Sequence, residues 1–237
     1  MPQRRPSSAP PQRQAPQGGR ETCYGCFKPR WLCLCGRVRS VANRTRITIL
    51  QHPRERFHAI GTARIARLGL ANSELLLPRA VAPRSLRIPL DFAPGSALLF
   101  PGDSARELAD LEPAELPQRL VVLDGTWSQA RKLLRENPSL GDLPRVKLSP
   151  ASPSRYRIRK EPRGTYLSTI EAIVQALALI EPETPGLDGL MNLFETMIDE
   201  QIVYADRNPR RPLRKIARQT RSEKAAFRAP DPGLDGV

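Results

Sequence analysis

The chain has 237 residues, 40% of them hydrophobic, which suffices for one generous domain with appendages, and it carries a net charge of +14. No apolar run approaches the roughly 18 to 20 residues needed to cross a bilayer, which excludes a helical membrane span, and the Pro/Gln/Arg-rich start lacks the apolar stretch of a secretory leader. The expectation is therefore a cytoplasmic protein, in which four clustered cysteines suit a metal better than disulfides.

Charge is concentrated at the two ends. Residues 1–20 hold four Arg and no acid, and residues 207–228 hold nine Lys/Arg against one Glu. Both flanks read as basic arms. A polyanion such as nucleic acid is the partner they fit, since each cation that neutralises a phosphate releases counterions. Solvated tails without a partner are the plainer alternative.

In chain order, residues 1–20 are too rich in Pro and Gln to offset ordering entropy and are expected to be disordered. Next comes "CYGCFKPRWLCLC", which places Cys23, Cys26, Cys33 and Cys35 as Cys-x2-Cys-x6-Cys-x-Cys. Two close pairs on a short loop suit four thiolates converging on one tetrahedral zinc ion. Four protein ligands leave no open position, so a structural role is expected. Phe27, Lys28, Arg30 and Trp31, between the pairs, suit either an RNA-facing surface or packing.

"RITILQ" (46–51) predicts a strand that His52-Pro53 ends, and Ile60, Ala63, Ile65, Leu68 and Leu70 fall broadly at helical spacing. "SELLLP" and "ALLFPG" are short apolar runs punctuated by proline, which predicts buried strands. "RLVVLDG" (119–125) is the clearest strand pattern, and "TWSQARKLLREN" predicts a helix stopped by Asn137-Pro138. "RVKLS" and "SRYRIRK" are further strand candidates. In "STIEAIVQALALI" Ser168 can cap a helix with Glu171 at capping-box spacing. A last helix is predicted over roughly Gly189 to Arg207, its stripe made by Leu190, Leu193, Phe194, Met197, Ile198 and Ile202. Strands alternating with helices predict an α/β fold with a mainly parallel sheet and flanking helices.

Three segments share one design, an apolar run ending in small or polar residues: "LLFPG" (98–102), "VVLDGTW" (121–127) and "GTYLSTIEA" (164–172). In open α/β sheets ligands sit beyond the carboxyl ends of strands. Together the segments outline a pocket for a small ligand with an adenine or carboxylate end, and no Gly-rich phosphate loop competes with them.

"DGTW" before a basic helix, "HPRE" (52–55), "FPG", "LSTIEA" and the four-cysteine knuckle together resemble the DTW-domain proteins, which are tRNA-uridine aminocarboxypropyltransferases. The resemblance covers about residues 21 to 206. It implies a SPOUT-like α/β fold with a C-terminal trefoil knot, and transfer of the 3-amino-3-carboxypropyl group of S-adenosylmethionine to N3 of a tRNA uridine. The expected division is an arm at 1–20, the zinc module at 21–40, the catalytic domain at 41–206 and a basic tail at 207–237. No obligate protein partner is evident.

Matched motif by motif, the resemblance implies cofactor contacts from Phe100, Pro101, Gly102, Leu123, Leu167, Ser168 and Thr169, with Glu171 nearby. Asp124, Thr126 and Trp127 fall at the reaction centre. Gly125 departs from the simplest pattern, in which Asp, Thr and Trp run together.

Uridine N3 becomes a nucleophile only after losing its proton, so a positioned carboxylate is needed. Asp124 is the first candidate and Glu55 the second, while a turn or helix-cap role is the alternative for Asp124. Trp127 could stack on an extruded uracil or simply fill the core. Of the two histidines, His52 and His58, His52 fits a hydrogen-bonded supporting position better than a catalytic one. Arg155, Arg157 and Arg159 would share one face of a strand and, with Lys160 and Arg163, would meet tRNA phosphates; a solvated sheet face is the alternative. A SPOUT-type RNA methyltransferase and a non-catalytic zinc-ribbon RNA-binding protein are the competing functions.

Overall fold

The computed structural model describes residues 21–58, 60–78, 86–88, 90–150, 152–158 and 166–207. The arm at 1–20, the tail beyond 207, and Arg159, Lys160 and Arg163 lie outside the described residues.

Six parallel strands form one sheet: β1 (Arg46–Gln51), β2 (Ser73–Leu76), β3 (Ser96–Leu99), β4 (Arg106–Glu107), β5 (Arg119–Asp124) and β6 (Arg145–Lys147), in the order β2-β1-β5-β3-β6-β4. Five helices accompany them: α1 (Thr62–Gly69), α2 (Trp127–Glu136), α3 (Pro138–Gly141), α4 (Thr169–Ile180) and α5 (Leu187–Arg207). None is long and apolar enough to cross a membrane.

The central strands read as nearly continuous apolar runs because both sheet faces are covered. Ile47, Ile49, Leu120 and Val122 pack with Ile65 of α1, Ile173 and Leu177 of α4, and Phe194 and Ile198 of α5. Their neighbours Leu50, Leu98 and Val121 point the other way, into a smaller cluster with Leu140 of α3 and Leu134 of α2. The period of two along β1 and β5 thus sorts residues between two cores.

The expected helical stripe of α5 is buried from Leu190 to Ile198, with Ile202 partly buried against it. This helix begins two residues earlier than predicted. Asn137-Pro138 does stop α2, and the chain then adds the single turn of α3. The two-residue β4 has no periodicity to reveal it.

One predicted strand is absent among the described residues. Residues 154–158 of "SRYRIRK" form a bend and a turn, not a strand. The alternation in this segment is satisfied differently: Tyr156 is buried, its hydroxyl donating to the Ile60 carbonyl at 2.9 Å and its ring meeting Phe194 edge-on at 5.5 Å. The Arg155 backbone N–H, which a ladder would need, donates instead to Glu171 at 2.6 Å. Arg155 and Arg157 pair with Glu195 and Asp199 of α5, so they do not form the expected stripe on a strand face.

Candidate active site and metal centre

The carboxyl ends of β3, β5 and β6 and the start of α4 surround a cavity of about 440 Å³, within the range of small-molecule sites. The apolar wall comes from Leu99, Phe100, Pro101, Leu123, Leu148 and Leu167, and the polar groups are Lys147, Ser149, Ser168 and Thr169. Six of the seven expected cofactor positions therefore line one space. Gly102 does not; a side chain there would meet the Arg145 guanidinium at 3.3 Å.

Trp127 is the first residue of α2 and stands between two other rings, with centroids 5.8 Å from Phe100 and 4.8 Å from Tyr166. A tryptophan in this sequence position serves as cavity wall rather than core. Its place is fixed by the helix start, where Thr126 Oγ1 accepts from the Gln129 N–H at 3.3 Å and Gln129 Oε1 accepts from the Thr126 N–H at 2.6 Å. Thr126, expected at the reaction centre, is thus the N-cap of α2 and does not line the cavity. Gly125 is required by the same contact. A Cβ there would lie 2.8 Å from Gln129 Oε1 and 3.3 Å from His52 Cβ.

Asp124 is buried just behind the cavity wall, between Leu123 and Gly125, which line it. Its Oδ1 accepts from Thr169 Oγ1 at 2.6 Å and its Oδ2 from Gln51 Nε2 at 2.9 Å. Thr169 itself lines the cavity, so one hydroxyl connects the carboxylate to the open space. Gln51 pairs with Asp124 in the β1–β5 register, and the next residue, His52, donates its backbone N–H to the Asp124 carbonyl at 2.9 Å.

His52 is buried, its Nδ1 accepts from the Arg54 N–H, and burial lowers its pKa, so it is held neutral in a supporting place. Glu55 sits in the 3-10 turn at Pro53–Glu55, away from the cavity wall.

Glu171 anchors the opposite side. Buried at the third position of α4, its carboxylate accepts from Ser168 N–H and Oγ, Ser154 Oγ and Arg155 N–H, at 2.6 to 2.8 Å. It therefore shapes the segment behind the cavity and is engaged in holding the chain rather than facing the open space. Glu171→Gln, which sets an amide NH2 among these donors, is expected to lower unfolding free energy by about 2 to 3 kcal/mol. Denaturant titration checks this, and an unchanged midpoint would discard it.

The residues that sequence patterns did not point to are Gln51 and the β6 end from Lys147 to Pro150, while Tyr166 lies in a segment that was expected at the pocket without being singled out. A parallel register would have placed the end of "RVKLS" at this edge. Gln51 gives no local signal, because only pairing across the sheet brings it to Asp124.

At the knuckle, the four cysteine sulfurs lie within 4.8 Å of one another, with Cys23–Cys35 at 3.7 Å and Cys26–Cys33 at 3.8 Å. Four thiolates ~2.3 Å from a common tetrahedral ion stand about 3.8 Å apart, so the set could hold a metal. The turn forms locally: Cys23 and Lys28 pair through Cys23 N–H to Lys28 O at 2.8 Å, and Phe27 takes the left-handed φ of 55° that the tight loop requires.

Lys28 is 2% exposed, and burial lowers its pKa to about 8. Trp31 packs on Tyr204 of α5 at 5.2 Å. The burial of Lys28 and the ring contact of Trp31 favour packing over an RNA-facing surface for these two residues.

The sequence model of the DTW domain matches residues 20–202 of the chain. The tRNA-uridine aminocarboxypropyltransferase 2 of Drosophila melanogaster is 31% identical over 195 residues, which cover 79% of this chain and 77% of that protein. The Mus musculus protein of the same description is 31% identical over 194 residues, 78% of this chain and 65% of its own length. The tRNA-uridine aminocarboxypropyltransferase A of Arabidopsis thaliana is 28% identical over 236 residues, covering 84% and 87%. No solved structure matches.

Proposed function

Since the chain belongs to the DTW-domain family, we propose that it transfers the 3-amino-3-carboxypropyl group of S-adenosylmethionine to N3 of a uridine in tRNA. The observation that carries this is the aromatic-walled cavity whose polar end, Thr169, is hydrogen-bonded to a buried carboxylate, Asp124. The donor supplies an electrophilic carbon beside a sulfonium leaving group. Transfer forms the N3–Cγ bond, breaks the Cγ–S bond and releases methylthioadenosine and the N3 proton.

The chain's own residues divide that work. Phe100, Pro101, Leu123, Leu167 and Ser168 enclose the donor in apolar surroundings that select which carbon faces the nucleophile. Trp127 offers a ring face to the uracil. Asp124 is the base, reached through Thr169: the N3 proton passes to Thr169 Oγ1 as that hydroxyl gives its own proton to Asp124 Oδ1. Gln51 holds the second carboxylate oxygen in place. Thr126, as helix cap, and Gly125 position Trp127. Glu55 stands second as base and is the less suited of the two, being outside the cavity wall.

Zinc held by Cys23, Cys26, Cys33 and Cys35 belongs to the same proposal, as a structural ion. So do the SPOUT-like knot, which the family membership implies, and a cytoplasmic location. The chain then divides into arms at 1–20 and 207–237, a zinc module at 21–40 and a catalytic domain at 41–206. Arg155 and Arg157, exposed beside the cavity segment, and the basic residues beyond the described region would meet tRNA phosphates.

Labelling tests the reaction. S-adenosylmethionine carrying label on the carboxyl carbon is expected to label tRNA, and donor labelled on the methyl carbon is not. Label arriving only from the methyl carbon would make the protein a methyltransferase. Tight, salt-sensitive tRNA binding without calorimetric affinity for S-adenosylmethionine would make it a non-catalytic RNA binder.

A further inference from the structure

Two of the most exposed large apolar side chains among the described residues are neighbours of the cysteine knuckle: Tyr24 is 85% exposed and Phe57 67%. Single exposed aromatics are ordinary, but Phe57 belongs to a group that includes Phe27 of the knuckle, three residues after Tyr24. Phe57, in the turn after β1, meets Phe27 of the knuckle at 5.2 Å with the rings near perpendicular. The Arg56 guanidinium lies over the Phe57 ring at 5.0 Å, and that of Arg64, from α1, over the Phe27 ring at 4.0 Å. The knuckle, the turn and α1 thus present one surface of ring faces interleaved with guanidiniums.

Its charge is incompletely balanced. Among the described residues neither Arg54 nor Arg56 makes an ion pair. Arg56 stands near enough to Arg64 for its charge, after burial, to lower that residue's pKa, so like charges gather on this surface. The surface also adjoins the reaction centre. The turn that carries Arg56 and Phe57 starts at His52, bonded to the Asp124 backbone, and Asp124 is close enough for its charge to bear on Arg64.

We propose that Tyr24, Phe57 and Arg56 form a stacking platform for unpaired nucleotides of the tRNA that flank the reacting uridine. Ring faces accept any base, which suits a single-stranded flank, and the arginines meet its phosphates. The proposal rests on the tRNA-directed function given above. A duplex would not fit it, since paired bases hide the faces these rings need.

The test uses the full chain with its zinc and compares Tyr24→Ala and Tyr24→Ala/Phe57→Ala with the unaltered protein. We expect tRNA affinity to fall at least about tenfold in the double variant, one stack being worth roughly 5- to 100-fold, and by a smaller factor for Tyr24→Ala alone. The dissociation constant for S-adenosylmethionine, the zinc content and the melting temperature of Tyr24→Ala stay as they were. Tyr24→Phe restores binding, and Arg56→Gln lowers the slope of log affinity against log salt by about one. Unchanged tRNA affinity in the double variant, while the unaltered protein modifies tRNA, overturns the platform and leaves the function standing. Lost affinity in a protein that transfers nothing to tRNA keeps the platform and overturns the function.

Discussion

Asp124→Asn is expected to retain S-adenosylmethionine binding and to lose transfer by about 100- to 10,000-fold, the usual contribution of a positioned base. Donor binding survives because the carboxylate lies behind the cavity wall, which is built by Leu123, Gly125 and Thr169 rather than by Asp124. The fold survives too. Asn can keep an oxygen toward Gln51 Nε2, and the Thr169 hydroxyl can rotate to accept from the new amide N–H, so the loss of stability stays near ~1 to 2 kcal/mol. Proton acceptance does not survive, since an amide has no basic oxygen.

Thr169→Val separates the direct and relayed versions. It keeps the shape of the cavity wall and removes the 2.6 Å link to Oδ1, and is expected to slow transfer nearly as much as Asp124→Asn. Single-turnover kinetics with saturating donor reads both. Full turnover in Asp124→Asn removes this residue from the chemistry, and full turnover in Thr169→Val removes only the relay.

Cys33→Ser should unload the metal and loosen the knuckle. Three remaining thiolates and a hydroxyl bind zinc far less well, and binding free energy at such a site is folding free energy. The effect reaches beyond the knuckle because its residues belong to the main core: Leu34 is fully buried in the same cluster as Val41, Ile60 and Leu190, and Trp31 rests on Tyr204. Several kcal/mol of stability should go, with zinc content falling from one ion to none. Atomic absorption and thermal melting measure the two sides. A Cys33→Ser protein of undiminished stability, from a parent containing no metal, would defeat the assignment. Loss of transfer is expected only as the knuckle's contacts with α5 and α1 fail, since a four-thiolate ion has no open position for substrate.

Each part of the molecule was legible to the extent that its signal was local. Four cysteines within thirteen residues announce a thiolate set that could hold a metal, whatever surrounds them. The strands 46–51 and 119–124 follow from apolar runs cut short by turn residues, and the start of α4 from the Ser168–Glu171 spacing. "FPG" and "LDG" meet because the parallel strands β3 and β5 finish at one edge, and the start of α4 brings "LST" to the same cavity. Those features could be read in order along the chain.

What only the tertiary structure decided was which partners the polar residues would find. Thr126 looked catalytic by its neighbours and turned out to cap α2, because Gln129 lay within reach of its backbone. The arginine alternation in 155–159 looked like a strand, yet no strand formed over 152–158 once Glu171 had taken the Arg155 N–H. Gln51 and Thr169 stand 73 and 45 residues from Asp124, and only the sheet register and the packing of α4 bring them to its carboxylate. A hydrogen bond forms between groups that folding has already placed together, so the sequence could name the acid but not its neighbours.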